Sequence, residues 1–320
     1  MSRFVVIGGS GFLGRTFVEL LKSKEQSEIV VLDICEPNFD GVEFNKTDIA
    51  QKVDFDFLPT DIVVHLAANQ YHMKLPASGR TEFFESVNLE GTRKVLEKME
   101  KCGTKQMIFF STDMVYGFPK EIPVPVNHPQ NPIGEYGKSK KKAEALCKEY
   151  RNKGFNITIF RPRMIAGKGR LGILVKLFKL MDKNLPIPMI GSGNNSYQMV
   201  SVNDCATAIL CAVDKNFPNK EYNLGSKNPP KVKNLLKDLI KKNSSKSILI
   251  PTWGKATKFA IFILAKLGLE IMYKEQYSIA DINYLVSISE TEKDLDWHPA
   301  FDDTRMILQA YEEYKNSSKK

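Results

Sequence analysis

The segment that most constrains this chain is its start. The apolar strand pattern Phe4–Ile7 runs into Gly8-Gly9-Ser10-Gly11-Phe12-Leu13-Gly14, and a helical pattern follows directly. Glycines at 8, 11 and 14 permit a turn too tight for residues that carry a Cβ, so backbone N–H groups at a helix N-terminus can approach a pyrophosphate. A strand-to-helix turn alone would be weak grounds for that reading. Here a second strand pattern, Ile29–Asp33, ends in an acid 19 residues after Gly14, about where a carboxylate reaches the ribose of a dinucleotide. A carboxylate there accepts hydrogen bonds from both ribose hydroxyls and repels a 2′-phosphate, and Ile34, Cys35 and Glu36 supply no arginine to hold one. NAD is expected rather than NADP.

The alternation continues beyond this unit. Arg3–Gly8, Ile29–Asp33, Val42–Lys46, Ile62–Leu66, Met107–Ser111 and Ile157–Arg161 read as strands, and helices are expected over about 14–24, 82–101 and 135–152. This order predicts an α/β fold, a Rossmann-type doubly wound parallel sheet with a smaller C-terminal substrate-binding part. Runs such as Ile108-Phe109-Phe110, apolar on both faces, suit buried parallel strands. Past Arg161 the regularity breaks at Pro186, Pro188 and the turn Gly191–Asn195. The expected division is a NAD-binding domain over 1–165, to which 196–225 returns, and a substrate-binding part from 166–195 and 226–320. The apolar run Phe259–Ala265, inside a helix pattern reaching Met272, falls short of the roughly 20 residues a bilayer span needs. A buried helix is favoured over an interfacial one rimmed by lysines.

Composition narrows the class. The chain has 320 residues, 42% hydrophobic and 26% charged, which suits a packed core and excludes a disordered or fibrous protein. The net charge is +9. Lysines occur along much of the chain without the aromatic and basic array of an RNA module, so solvated helix faces are favoured over a nucleic-acid groove or an anionic membrane surface. Five cysteines, at 35, 102, 147, 205 and 211, form no CxxC pair, and the four histidines are scattered. Neither a disulfide framework nor a metal site is expected, and a reducing cytoplasmic setting is simplest. The N-terminus does not read as a secretory signal.

Two further constellations carry chemistry. Tyr136 and Lys140 stand at i and i+4 of a helix pattern and so share one face. A free phenol has a pKa near about 10, but an adjacent ammonium and a positive nicotinamide ring both stabilise the phenolate, which makes Tyr136 a candidate acid/base. The run Ser111-Thr112-Asp113-Met114-Val115-Tyr116-Gly117 follows a buried strand. A hydroxyl from Ser111 or Thr112 can hydrogen-bond a substrate oxygen as it alternates between alcohol and carbonyl, or can cap the strand end.

With these pieces the sequence resembles the extended short-chain dehydrogenase/reductases, the NAD-dependent epimerase/dehydratase family, over nearly its whole length. Asp48-Ile49, His65-Leu66-Ala67-Ala68, Val87-Asn88-Leu89-Glu90-Gly91-Thr92, Arg161-Pro162, Val200–Asp204 and Tyr222-Asn223-Leu224-Gly225 also match. The resemblance implies that Tyr136 is the acid/base, that Lys140 lowers its pKa and holds the nicotinamide ribose, and that Thr112, three residues before the Val of Val-Tyr-Gly, is the hydroxyl partner. It implies cofactor contacts from the turn (Gly8, Gly11, Phe12, Leu13, Gly14), from Asp33, Asp48 and Ile49, from Leu66, Ala67 and Ala68, and from Asn88, Ser111 and Pro162. It also implies a homodimer.

Departures from the family pattern narrow the activity. Sugar-nucleotide 4,6-dehydratases read Thr-Asp-Glu where this chain has Thr112-Asp113-Met114; a thioether cannot act as acid or base, so dehydration is disfavoured. Tyr197 stands where relatives often carry an arginine for the substrate diphosphate, and Ala166-Gly167 replaces Tyr-Gly. Either Arg163, Lys168 or Arg170 then holds the diphosphate or the substrate has none, with Asp113, Met114 and Tyr197 also facing substrate. The expected activity is NAD-dependent epimerisation or oxidation at a sugar hydroxyl, C4 foremost, of a nucleotide-activated or lipid-linked sugar. The alternatives are a hydroxysteroid- or isoprenoid-type dehydrogenase on an apolar alcohol, and a non-catalytic NAD-binding protein, against which the intact Thr112, Tyr136 and Lys140 speak.

Overall fold

The alternating pattern assembles, in a computed structural model, around one seven-stranded parallel sheet. The structure describes residues 2–24, 27–71, 73, 75–167, 169, 174–269 and 271–317. The first half runs β1 (Ser2–Ile7), α1 (Phe12–Lys22), β2 (Ser27–Asp33), β3 (Glu43–Lys46), β4 (Ile62–His65), α2 (Arg80–Glu85), a π turn (Ser86–Gly91), α3 (Thr92–Cys102), β5 (Gln106–Phe110), α4 (Glu135–Asn152) and β6 (Asn156–Pro162). There follow β7 (Met164–Ala166), α5 (Leu174–Asp182), β8 (Ile187–Met189), β9 (Met199–Ser201), α6 (Val202–Asp214), β10 (Glu221–Leu224) and α7 (Val232–Lys242). The chain ends with β11 (Leu249–Pro251), α8 (Gly254–Lys266), α9 (Lys274–Ser278), α10 (Ser289–Leu295) and α11 (Asp303–Ser317).

The strand order is β10-β6-β5-β4-β1-β2-β3, the parallel arrangement expected from the sequence. Val5 of β1 pairs with Val30 on one side and Val63 on the other. Successive side chains of β1 point to opposite faces. Phe4 and Val6 join the core beneath α1 and α6, while Val5 and Ile7 join the core beneath α3 and α4. A third core gathers Phe178 of α5, Leu239 of α7 and Tyr311 of α11 under β7 and β9.

Two expectations are corrected. The single helix expected over about 82–101 is divided by the π turn, whose extra residue points Asn88 into the interior while Gly91 lies against Ile49. The helix expected to be buried, α8, lies at the surface: of its side chains Ile261 alone is buried, whereas Phe259 is 65% exposed. Seven apolar residues in a row supply hydrophobicity without fixing which side is covered, and only one side of α8 meets the rest of the chain.

The anchor of α4 is an ion pair that both partners hold in the interior. Arg161 of β6 donates from Nε and Nη2 to Glu144 of α4 at 2.9 and 2.7 Å, and from Nη1 to the Tyr116 hydroxyl at 2.9 Å and the Val126 carbonyl at 2.8 Å. The Tyr116 hydroxyl donates in turn to Asn223 of β10 at 2.7 Å. A buried charge that loses its partner is expensive, by about 3–5 kcal/mol. Arg161→Met should therefore lower unfolding free energy by about that amount, and adding Glu144→Leu should recover part of the loss in denaturant titrations.

Candidate active site

The chain leaves β1 toward β2 on one side of the sheet and returns to β4 on the other, so a crevice opens beyond the carboxyl ends of β1 and β4. The glycine turn sits at its edge. Gly8 has φ +85°, and a Cβ there would come within 2.6 Å of the Ala67 nitrogen; Gly14 lies against Gly9 and the Gly8 carbonyl. These two glycines are demanded by packing. Gly11 is different: among the described residues a Cβ on it would meet only the Gly8 carbonyl oxygen, at 3.2 Å, and its φ of −75° suits any residue. Among the described residues no side chain caps α1 at Gly11, so the space beside it lies at the positive end of a helix dipole. Asp33 accepts from the Ser10 N–H at 3.0 Å through Oδ2 and from the Cys35 N–H at 3.1 Å through Oδ1. A carboxylate has about four acceptor positions, which leaves capacity for ribose hydroxyls. Uncapped helix, unfilled cradle and acid together fit a dinucleotide.

Other residues expected at the cofactor play mixed parts. The Leu66 and Ala67 N–H groups both donate to the Ile7 carbonyl, tying the loop that includes Ala68 to β1. Asp48 accepts from the Ala50 N–H and the Gln51 side chain, and Ile49 is buried against Gly91. Asn88 is fully buried: its Oδ1 accepts from the Asn69 N–H at 2.8 Å, and its Nδ2 donates to the Asn69 carbonyl and to Ser139 Oγ at 3.0 Å. It joins the loop after β4 to α4. Pro162 is buried at the end of β6.

Helix α4 carries Tyr136, Lys140, Glu144 and Cys147 on its buried face. Gly137 lets it come close: a Cβ there would lie 2.7 Å from the Met114 carbonyl oxygen and 2.9 Å from Pro132. This contact brings the residue after Tyr136 against the short turn that follows β5. In that turn Thr112 Oγ1 accepts from the Met114 N–H at 3.2 Å, capping it, while Ser111 Oγ is buried with no hydrogen-bond partner among the described residues. Lys140 Nζ lies 4.0 Å from the Phe109 ring centroid, and burial lowers its pKa to about 8. His65 is held neutral, its pKa lowered to about 3 by burial and by the charge of Lys140. Thr92 Oγ1 donates to the Asn88 carbonyl and so accepts from His65 Nε2 at 3.0 Å, leaving Nδ1 an acceptor with no partner among the described residues.

The expected substrate contacts fall differently. Arg163 is almost wholly buried; its guanidinium pairs with the Asp113 carboxylate and lies 4.5 and 4.2 Å from the ring centroids of Tyr197 and Tyr284. Its Nε and Nη2 have no hydrogen-bond partner among the described residues. Asp113 and Tyr197 are thus part of an internal cluster, to which the Tyr284 hydroxyl adds a bond to the Asp113 carbonyl. Met114 is half-buried. Lys168 and Arg170 lie outside the described residues.

Sequence reasoning missed the neighbours of the Tyr136 ring. Tyr71 and Phe84 each lie 5.8 Å from it, and Tyr71 stacks on Tyr273 at 4.4 Å. Glu275 of α9 reaches the same place: a Cβ on Gly134, at the start of α4, would run into its carboxyl group. Neither Glu275 oxygen completes a hydrogen bond among the described residues. Burial pushes its pKa up to about 7, with Tyr71 and the Tyr136 backbone pulling the other way and Glu135 adding to the rise. Nothing in the sequence near 71 or 275 signals this meeting of distant segments.

The model of the NAD dependent epimerase/dehydratase family matches residues 4–225, and the chain belongs to that family of NAD-dependent enzymes. The putative UDP-glucose 4-epimerase of Methanocaldococcus jannaschii is 32% identical over 253 residues, 74% of this chain and 81% of that protein. An N-acetyl-alpha-D-glucosaminyl-diphospho-ditrans,octacis-undecaprenol 4-epimerase of Escherichia coli O157:H7 is 34% identical over 203 residues, 62% of this chain and 59% of that one. The crystal structure of UDP-glucuronic acid 4-epimerase from Bacillus cereus in complex with NAD shares the fold, with a TM-score of 0.77 over 98% of this chain and 99% of that one at 19% identity.

Two outcomes follow from the geometry. Gly11→Ala should leave stability within about 1 kcal/mol, because its Cβ meets little protein, yet weaken NAD binding measured by calorimetry at least about tenfold. Glu275 binds its proton more tightly in the folded chain (pKa about 7) than at its ordinary value of 4.5, so its contribution to stability is full below pH 4.5 and is lost as pH rises toward 7. Glu275→Gln should flatten that dependence and raise stability above pH 7 by roughly 1–3 kcal/mol, read from denaturant midpoints across this range.

Proposed function

We propose that the protein is a 4-epimerase or 4-dehydrogenase of a sugar activated as a nucleotide diphosphate or carried on a lipid diphosphate, with Tyr136 as the acid/base. The observation that carries this reading is the buried face of α4, where Tyr136 and Lys140 stand one turn apart beside the turn that follows β5. NAD, when bound, supplies the hydride acceptor and donor. Tyr136 as phenolate takes the proton of the C4 hydroxyl, and Lys140 stabilises that phenolate through its charge. The hydroxyl of Thr112 hydrogen-bonds the same sugar oxygen as it passes from alcohol to ketone. In an epimerase Tyr136 then returns the proton to that oxygen after the ketone has presented its other face, which restores the phenolate for the next cycle. Asn88 acts at one remove, by holding Ser139 and the loop after β4.

Two features support this over elimination of water. Met114 offers no acid or base, and Asp113 is already paired with Arg163 in the interior. The names of the relatives support a C4 sugar epimerase over a dehydrogenase of an apolar alcohol. Tyr136→Phe should lower turnover by about 10²–10⁴-fold while NAD binding persists, measured against UDP-hexoses, UDP-N-acetylhexosamines and polyprenyl-diphosphate N-acetylhexosamines. Turnover equal to that of the unmodified chain would remove Tyr136 from the mechanism.

A further inference from the structure

An ordinary surface helix turns its charged residues outward; α8 turns outward its apolar ones. Phe259, Ile263 and Leu267, at i, i+4 and i+8, are 65%, 41% and 73% exposed, and Trp253, immediately before the helix, is 86% exposed. Leu269 and Ile271 continue the patch beyond the helix. Lys255 and Lys266 flank the stripe and are exposed, and Lys258 pairs with Asp281. On the neighbouring side a groove is lined by Lys233, Lys237, Lys241, Ile248 and Pro251, so the lysines of α7 adjoin the strand that leads into Trp253.

Lysine is concentrated in the same stretch of the chain. Residues 231–274 hold ten lysines and two acidic residues, which accounts for eight of the nine net positive charges of the chain. A symmetric contact between two copies through this face would oppose two such surfaces of like sign. An anionic bilayer satisfies both features, burying the aromatic and aliphatic side chains at the level of the headgroups while the lysines meet lipid phosphates. At 13 residues α8 is too short to cross a bilayer, and no described helix is long and apolar enough to do so.

We propose that α8, with Trp253 and the segment after the helix, seats the protein on the surface of an anionic phospholipid membrane. The seat adjoins the candidate active site, since the chain passes from Ile271 to Tyr273 and Glu275, which pack on Tyr71 and Gly134. It does not depend on the role of Tyr136.

The test is cosedimentation of the full chain with vesicles of phosphatidylcholine alone or mixed with phosphatidylglycerol. Binding to the mixed vesicles, weakened by salt, is expected, together with a blue shift in the emission of Trp253, the exposed one of the two tryptophans. The triple substitution Phe259→Ser, Ile263→Ser and Leu267→Ser should reduce partitioning at least about tenfold while NAD binding is retained. Lys255→Glu with Lys266→Glu, both exposed positions, should weaken binding to the anionic vesicles on its own. Failure of the unmodified chain to sediment with mixed vesicles at low salt overturns the proposal, as does undiminished binding by both variants. A dimer in sedimentation velocity that the triple substitution converts to monomer, without vesicle binding, would assign the face to a second copy instead. None of these readouts requires turnover, so their failure leaves the Tyr136 reading in place, and failure of the Tyr136→Phe experiment leaves the membrane seat in place.

Discussion

The position of the face of α4 that carries Tyr136 and Lys140 depends on the pairing of Glu144 with Arg161. Both groups are removed from water, where an unpaired charge is heavily penalised, so the helix is held at the one height over β6 that satisfies both. Tyr136 and Lys140 precede Glu144 by two turns and one turn on the same face, and whatever fixes Glu144 also fixes the phenol. Gly134 and Gly137 complete the arrangement by giving up side chains where Glu275 and the Met114 carbonyl approach. An internal ion pair thus fixes the height of the face that carries Tyr136 and Lys140, and its links through Tyr116 to Asn223 extend that control to the edge strand β10.

Much of this was legible in the sequence because it is local. The strands are apolar on both faces, which marks a covered parallel sheet, and a spacing of four residues puts Tyr136 and Lys140 on one helix face whatever the rest of the chain does. The glycine turn announces itself because no other residue tolerates the contacts at Gly8 and Gly14. Glu144, another four residues along, could have been added by the same spacing. The π turn could not: residues 82–101 keep an unbroken helical pattern, and the extra residue serves the inward amide of Asn88, whose partners lie on other elements.

What the sequence hid is long-range. Tyr71, Tyr273 and Glu275 meet around Tyr136 only because the fold brings α9 back over the start of α4. An arginine directly after a buried strand reads as an anion ligand; the fold alone reveals that Tyr197 and Tyr284 close on Arg163 and that Asp113 takes its charge. The apolar run in α8 shows the converse. Hydrophobicity is a property of the segment, whereas burial is a property of what lies on top of it, and here only the Ile261 side is covered.

The double engagement of Asp33 has a consequence for any attempt to retool this protein for a phosphorylated coenzyme. Its two oxygens pin the Ser10 and Cys35 amides, so exchanging the acid to admit a 2′-phosphate would also unfasten the nucleotide turn from the end of the second strand. On the proposed binding mode, coenzyme choice and the stiffness of that turn rest on one side chain, and changing the first without loosening the second would take at least one compensating substitution beside it.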